Sequence, residues 1–377
     1  MKRKKLILVL LSALILLSGC SAQPRGASSP KGASSTCPVD FSPIAHVGND
    51  NNTLNQYTGE MLFYQGHVYF LHQRELYRTD LQGQNLTLIS DQYTNYDMNA
   101  YQDKIYSRNG SKIEVLDLHT GAVFTLFEQE AKKDIRQGGR DYSGYASVND
   151  LLIVQDLLFF SSTSGWHGTS EGMTQGIWAY DLTTNAIYGP LYKFSKSLAT
   201  NGVHIIAYSN TGDLNYMNIQ DVRTGGTMEG RVSTNNAPFS TEQYLFGANG
   251  MCYINEDDQI YTAVSYHSLG TNGQDKQVPF YDLGKNAASY IKWDHAKRVL
   301  DNESMYVANN GTLWLFKNWN LQEGSRIAAY SHVKAMAMHE GRLYLNMQPT
   351  SGDSYHLYIY DGQGKLQADV PLPVNYD

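Results

Sequence analysis

The residues of this chain that could do chemistry are few. Gly168-Thr169-Ser170-Glu171-Gly172 matches the G-x-S-x-G pattern of a nucleophile elbow. That pattern makes a nucleophile only at a sharp strand-to-helix turn that lifts the serine above a parallel sheet. Here it stands between two apolar stretches of strand character, Leu157–Phe160 and Ile177–Tyr180, with no helical period after it. The sequence therefore predicts a loop between antiparallel strands and no catalytic residue. The same segment, 161–176, carries Trp166 and His167 among glycines. Binding residues concentrate on such projecting loops, and an exposed Trp is a common anchor for a sugar or a protein. Trp166 and His167 are thus the ligand-binding candidates. Asn255-Glu256-Asp257-Asp258 is acidic but lacks the alternation of a calcium loop. The histidines show no zinc spacing, and the basic stretch 132–140 reads as solvated surface. No metal and no cofactor is expected.

The elements that must position these residues are short strands. Leu76-Tyr77-Arg78-Thr79-Asp80-Leu81-Gln82-Gly83 is a strand that ends in Asp and a polar turn. Copies ending in Asp117, Asp181, Asp282 and Asp361 follow it. A second strand centred on an aromatic precedes each copy, after a polar turn such as Gln65-Gly66 or Gln102-Asp103. Tyr69 and Tyr106 lie 37 residues apart, and Tyr306 and Tyr344 lie 38 apart. Four antiparallel strands repeated every 40 to 50 residues or so define a β-propeller. The fold is expected to be all-β, a propeller of seven blades of four strands, with six or eight as alternatives. The fourth unit is irregular, because its third strand, 216–222, is out of step, and the sixth has lost its Asp at Asn318. An Asp at a strand end accepts N–H bonds from the turn that follows, so these acids are assigned a structural role. No polar position recurs in a way that would gather carboxylates or histidines around a central channel.

The N-terminus supplies an address. Met1-Lys2-Arg3-Lys4-Lys5 is basic, and residues 6–17 form an almost unbroken apolar run of 12. That is too short to span a bilayer stably and reads as an export signal. Leu17-Ser18-Gly19-Cys20 resembles the lipobox of bacterial lipoproteins. The resemblance implies cleavage of a signal peptide 1–19 and lipid attachment at Cys20. Residues 20–43 are rich in Ser, Gly and Pro and read as a flexible tether, leaving 44–377 as the propeller. Net charge is -7 and charged residues make up 17%, which gives no reason to expect nucleic acid. If Cys20 is lipidated, Cys37 and Cys252 remain; a disulfide between them is possible, and two unpaired thiols are expected.

Tyr77-Arg78-Thr79-Asp80 resembles the Tyr-Trp-Thr-Asp motif of the low-density-lipoprotein-receptor type propellers, with Arg in place of Trp. The fuller pattern over 60–90 is similar to a group of uncharacterised bacterial surface propellers related to that type. The resemblance implies a propeller with a habit of binding and implies no activity; those relatives are commonly six-bladed. The reading is a monomeric, lipid-anchored binding platform for a protein or glycan on the extracytoplasmic side of an inner or outer membrane. A propeller enzyme acting on glycans or peptides and an envelope assembly scaffold are the alternatives.

Overall fold

The computed structural model describes residues 37, 39–42, 44, 47–49, 56–57, 60–193, 195–209, 213–228, 230–233, 244–255, 260–265, 278–283, 287–293, 296–352 and 354–374. Cys20 and the acidic turn 256–258 lie outside them. Among the described residues the chain is all-β, with one 3-10 turn at Ile219–Thr224. No described helix is long and apolar enough to cross a membrane.

Successive antiparallel sheets take the chain in order. The first four-stranded sheet runs from Met61 to Ser90, the second from Tyr96 to Glu128 and the third from Gly144 to Lys193. The fourth spans Ser195–Ser233 and the fifth Tyr244–Asp282. The last takes seven strands from Lys297 to Pro371, with Ser325–His339 ending one group of four and beginning the next, and Gln56–Tyr57 joins it as the eighth. Within each four-stranded sheet the strands form a meander, each pairing with its neighbour in sequence.

Burial explains the composition of each strand. Second strands such as Val68–Leu71 and Leu157–Phe160 are buried throughout, sandwiched between sheets, and so read as continuous apolar runs. Outermost strands such as Val123–Glu128 face solvent and carry exposed Val123 and Phe124. The sheets pack in series. Leu62 and Tyr69 of the first share a core with Met98 and Ile105 of the second, and Tyr106 of the second packs with Phe160 of the third. Phe159 of the third packs with Ile205 of the fourth. Phe63 and Phe70 of the first sheet share a core with Tyr344 and Ile359 of the last, so the series returns on itself. This is the arrangement of a β-propeller.

The strand-ending acids cap their turns. Asp80 Oδ1 accepts from the Gln82 and Gln84 amides, and Asp117 Oδ1 accepts from those of His119 and Thr120. Asp361 Oδ1 accepts from Gln363 and Lys365. Asp181 does the same for Thr183 and Thr184 at 2.9 and 3.0 Å, and its Oδ2 takes Arg223 Nε of the fourth sheet at 2.7 Å. Burial opposes the charge of Asp181, yet the Arg223 guanidinium and the Thr183 hydroxyl hold its carboxyl well below the usual carboxylate range. A depressed carboxyl stabilises the fold above its unfolded pKa and loses that contribution as pH falls through the folded one. Asp181→Ala is therefore expected to cost about 1–3 kcal/mol at neutral pH and to lessen the acid sensitivity of the fold, both read from denaturation curves between pH 3 and 7.

The fourth unit is not out of step. Its third strand is Asp213–Asn218, and Asn218 takes the place of the Asp, accepting from the Gln220 amide at 2.9 Å before the 3-10 turn begins. Residues 219–222, expected as strand, belong to that turn. In the sixth unit Lys317 takes the place of the Asp, pairing with Ser304 as Asp80 pairs with His67, and Asn318 after it sits at a left-handed φ of 51°.

The segment expected to be a loop, 161–176, is a hairpin. Strands Leu157–Trp166 and Thr169–Asp181 continue past the apolar stretch, pairing Ser161 with Ile177 and Thr163 with Gln175. Alternating Ser and Thr suit a pleated strand, and partners bury them: Ser162 Oγ donates to Gln129 Oε1 and Asn149 Nδ2 to Thr163 Oγ1. Only residues around His167-Gly168 form the turn.

The packed chain also begins before residue 44. Val39 and Phe41 are buried against Trp319 and Leu321, and Cys37 packs beside Cys252. Both cysteines are free thiols. The Asp40 amide donates to Asn249 Oδ1 and the Phe41 amide to Asn302 Oδ1, both on turns that join inner to second strands. Val47 then pairs with Val154 of the third sheet, and the Gly48 amide donates to Ile153 O at 2.9 Å. A Cβ on Gly48 would lie 2.7 Å from Ile153 Cβ, which is why the position takes glycine. Asn49 bonds the first sheet, and Gln56–Tyr57 pairs with Met336–Ala337 of the last. This strap enters at the face that carries the turns. It runs across the inner strands of the third, second and first sheets and along that of the last.

Candidate functional site

Two faces are distinct. One carries the turns after the inner strands, the Asp-capped turns and the entry of the strap. The opposite face carries the starts of the inner strands and the connections between second and third strands.

On that opposite face a cleft of about 420 Å³ gathers Glu60, His72, Lys297, His332, Lys334 and Tyr355. Glu60 precedes the inner strand of the first sheet, and His72 ends its second strand. Lys297 begins the eight-stranded sheet, and His332 and Lys334 lie where its long strand changes partners, at a register shift between Val333 and Ala335. Tyr355 precedes the strand His356–Tyr360. Residues about 300 apart in sequence thus meet because the first sheet packs on the last.

The cleft brings one carboxylate beside two ammonium groups. Lys334 Nζ stands 3.9 Å from Glu60 Oε2, too long for a hydrogen bond. Glu60 Oε2 is buried and accepts no hydrogen bond among the described residues. Burial pushes the Glu60 carboxyl up, with Lys334 pulling the other way; burial likewise pushes the Lys334 ammonium down against Glu60. Desolvation outweighs the pairing for both partners. His72 is 1% exposed; its Nε2 contacts Pro373 O at 3.0 Å, and its Nδ1 has no hydrogen-bond partner among the described residues. His332 Nδ1 contacts Tyr355 Oη at 2.9 Å. Burial, and for His332 the neighbouring Lys297 and Lys334, hold both imidazoles below the usual histidine range, so both are neutral at pH 7. Lys297 Nζ donates to Val333 O at 3.1 Å.

A second polar group lies one and two sheets away. Asp97 is ion-paired with Arg108, which also lies 5.7 Å over the Tyr96 ring. Asp150 accepts from the Leu151 and Leu198 amides at 2.8 and 2.7 Å. Desolvation and the neighbouring Asp97 carboxylate push the Asp150 carboxyl up to about 8. A raised carboxyl stabilises the fold fully below its unfolded value and loses that contribution as pH rises through the folded one. Thermal stability is therefore expected to fall as pH rises from about 4 to about 8 and to level off above that, and Asp150→Asn to flatten that fall. An unchanged slope in the variant would contradict the assignment.

The sequence does hold the recurrence it was read as lacking. Glu60, Asp97 and Asp150 each stand five residues before the Gln that opens the inner turn, at Gln65, Gln102 and Gln155. The acid falls at or just before the inner strand each time, and Lys334 occupies a bulged counterpart in the last sheet. The signal was legible as an acid at a fixed offset from Gln. It was hidden because the repeat was anchored on the strand-ending Asp instead.

Trp166 and His167 lie on the same face, at the tip of the third sheet's hairpin, apart from the sheets that build the cleft. Trp166 Nε1 donates to Lys133 O at 2.7 Å, and Lys132 Nζ lies 5.9 Å over its ring. The basic stretch is itself a small hairpin, Ile135–Gln137 against Arg140–Tyr142. His167 is exposed, with its ring 4.8 Å from that of Tyr145. Ser170 is exposed within the strand Thr169–Asp181, away from any strand-to-helix turn. On the turn face a hollow of about 540 Å³ lies beside Val47 and Gly48. Its one cation among the described residues, Arg223, is already held by Asp156 at 2.8 Å and by Asp181.

No protein-family model and no curated protein matches the chain. Among solved structures it is similar to the computationally designed Ika8 protein, at 12% identity and a TM-score of 0.46, over 84% of this chain and 87% of that one. It is also similar to Kluyvelomyces marxianus Hsv2, at 9% identity and a TM-score of 0.46, over 86% of this chain and all of that one. A third is a quinonprotein alcohol dehydrogenase-like protein from Bacteroides thetaiotaomicron, at 11% identity and a TM-score of 0.44, over 84% and 76%. None of these likenesses speaks to function.

Proposed function

We propose that this chain is a lipid-anchored, extracytoplasmic propeller of seven blades, the last sheet contributing two. In this reading it binds an envelope protein or glycan through the face opposite the entry of the strap and catalyses no reaction. The cleft of Glu60, His72, Lys297, His332, Lys334 and Tyr355 carries the reading, because a desolvated carboxylate such as Glu60, whose Oε2 accepts no hydrogen bond among the described residues, is costly to fold and marks a polar functional site. The lipobox at Cys20 and the resemblance over 60–90 to bacterial surface propellers support the address. The strap packs on the turns at Asn249 and Asn302, on the face away from the cleft. Palmitate labelling of the wild type and Cys20→Ser tests the anchor. A crosslinking pull-down from the native envelope tests the binding. Label in the wild type alone, with a partner lost on Lys334→Glu, is the expected result; no label, or capture that Lys334→Glu leaves unchanged, would refute it.

A further inference from the structure

The first four sheets lie between Cys37 and Cys252 in sequence, yet the two side chains meet. The strap carries one and the fifth sheet the other. The Asp40 amide donates to Asn249 Oδ1 at 2.7 Å, and the Ala248 amide donates to Asp40 O at 2.6 Å. A Cβ on Gly247 would lie 2.2 Å from Asp40 O, so the strap rests directly on the turn that leads into the strand Gly250–Asn255. Cys37 stands three residues before Asp40, and Cys252 three residues after Asn249. Cys252 is fully buried, and Cys37 is half-buried at the rim of the same core. Their side chains share a hydrogen bond. Burial and that contact push the Cys252 thiol up, while the Arg298 guanidinium pulls the other way. Among the described residues no third His, Cys, Asp or Glu joins the pair to make a metal site.

We propose that Cys37 and Cys252 close to a disulfide outside the cytoplasm and so fix the strap to the fifth sheet. The assignment rests on the reading of the chain as extracytoplasmic, since that is where disulfides form and persist. The oxidant is a small or protein disulfide. The thiolate of Cys37, the more exposed of the two, attacks one sulfur of the oxidant; a mixed disulfide forms and one thiol leaves. The thiolate of Cys252 then attacks Cys37 Sγ and expels the second thiol. The pair gives up two electrons and two protons, and the oxidant is reduced to two thiols. The side chains are already in contact, so closure asks for their adjustment and not for a new path of the strap. The bond encloses the first four sheets in one covalent loop, and a cross-link constrains the unfolded chain more as the loop grows. A pull from the N-terminal side then reaches the fifth sheet through a covalent bond and does not peel Val39 and Phe41 from their core.

The test uses the full-length protein, purified in detergent under reducing conditions and then given oxidised glutathione. Thiols are counted by alkylation and located by peptide mass. The wild type is expected to lose the Cys37 and Cys252 thiols together and to keep no glutathione. Cys252→Ser is expected to stop at a glutathione adduct on Cys37. A second readout needs no variant. Trypsin cuts after exposed Arg136 and Arg140 fall inside the loop; the fragments of oxidised wild type should stay joined on denaturation until reductant is added. Oxidation should also slow proteolysis of the strap at least about tenfold. Wild type that keeps both thiols, or that accumulates the adduct, overturns the assignment whatever the variant does. Alkylation in acid-quenched cells separates the pair from the address. Blocked thiols in cells support both. Closure in the purified protein with free thiols in cells refutes the extracytoplasmic reading and leaves the pair standing. Free thiols in both refute the pair alone.

Discussion

Phe63→Ala should destabilise the protein by about 3–5 kcal/mol. Phe63 is fully buried on the inner strand of the first sheet, yet its ring partners belong to the last. It stacks on His339 at 4.4 Å and meets Tyr344 edge-on at 4.8 Å. Removing the ring empties the seam where the series of sheets returns on itself. Tyr344 also donates to Leu81 O at 2.9 Å, and Asn346 to Leu71 O at 3.1 Å, so the seam holds polar links as well as apolar contact. Leu372 at the C-terminus packs into the same core. Chemical denaturation measures the total cost, and hydrogen exchange locates it. Protection should fall first in 61–90 and 342–371, while the third sheet stays protected. A cost below about 1 kcal/mol, or a loss of protection spread evenly over all sheets, would mean that the seam does not close the structure.

The second large effect is expected at the strap. Asn49 is fully buried; its Nδ2 donates to Met61 O at 3.1 Å and its Oδ1 accepts from the Phe63 amide at 3.0 Å. It therefore satisfies two of the backbone groups that the inner strand of the first sheet turns away from its neighbour. Asn49→Leu keeps the size and strands both groups, at about 1–3 kcal/mol each. The strap should also loosen, which proteolysis near residue 48 would report. Asn85, which makes its bond to Asp80 on the exposed turn, provides the contrast: Asn85→Leu should cost far less. If Asn49→Leu behaved like Asn85→Leu, the strap would be an accessory and not a clip on the sheets.

These two predictions also mark where the sequence was informative. The strand-ending acids and the aromatic second strands were legible because each is a local device: Asp80 and Asp361 bond amides two and four residues on. The irregular fourth unit became regular once Asn218 was seen in the Asp position, a substitution the chemistry permits because the amide oxygen accepts the same bond. The hairpin 157–181 was missed because its distal strands are Ser, Thr and Gly, which composition assigns to loops, while partners such as Gln129 and Asn149 bury them here. The start of the packed chain was misplaced for a related reason. Cys37, Val39 and Phe41 are too sparse to form a periodic pattern, and their binding surface is built by residues 250 to 320. The cleft was hardest to see. Glu60, His72 and Lys334 become neighbours only because the first sheet packs on the last, and no local pattern encodes that meeting. What local pattern did encode was the acid five residues before each inner-turn Gln, at Glu60, Asp97 and Asp150.

The most direct measurement of the central claim, that the face opposite the entry of the strap is the binding face, is photo-crosslinking in living cells from single sites. A photoreactive residue is placed at Gln73 beside the cleft, and at Gln102 on the turn face as the counterpart. The account predicts a discrete crosslinked species from Gln73, absent when Lys334→Glu is added, and none from Gln102. Crosslinks from Gln102 with none from Gln73 would contradict it, and would place recognition on the face where the strap enters.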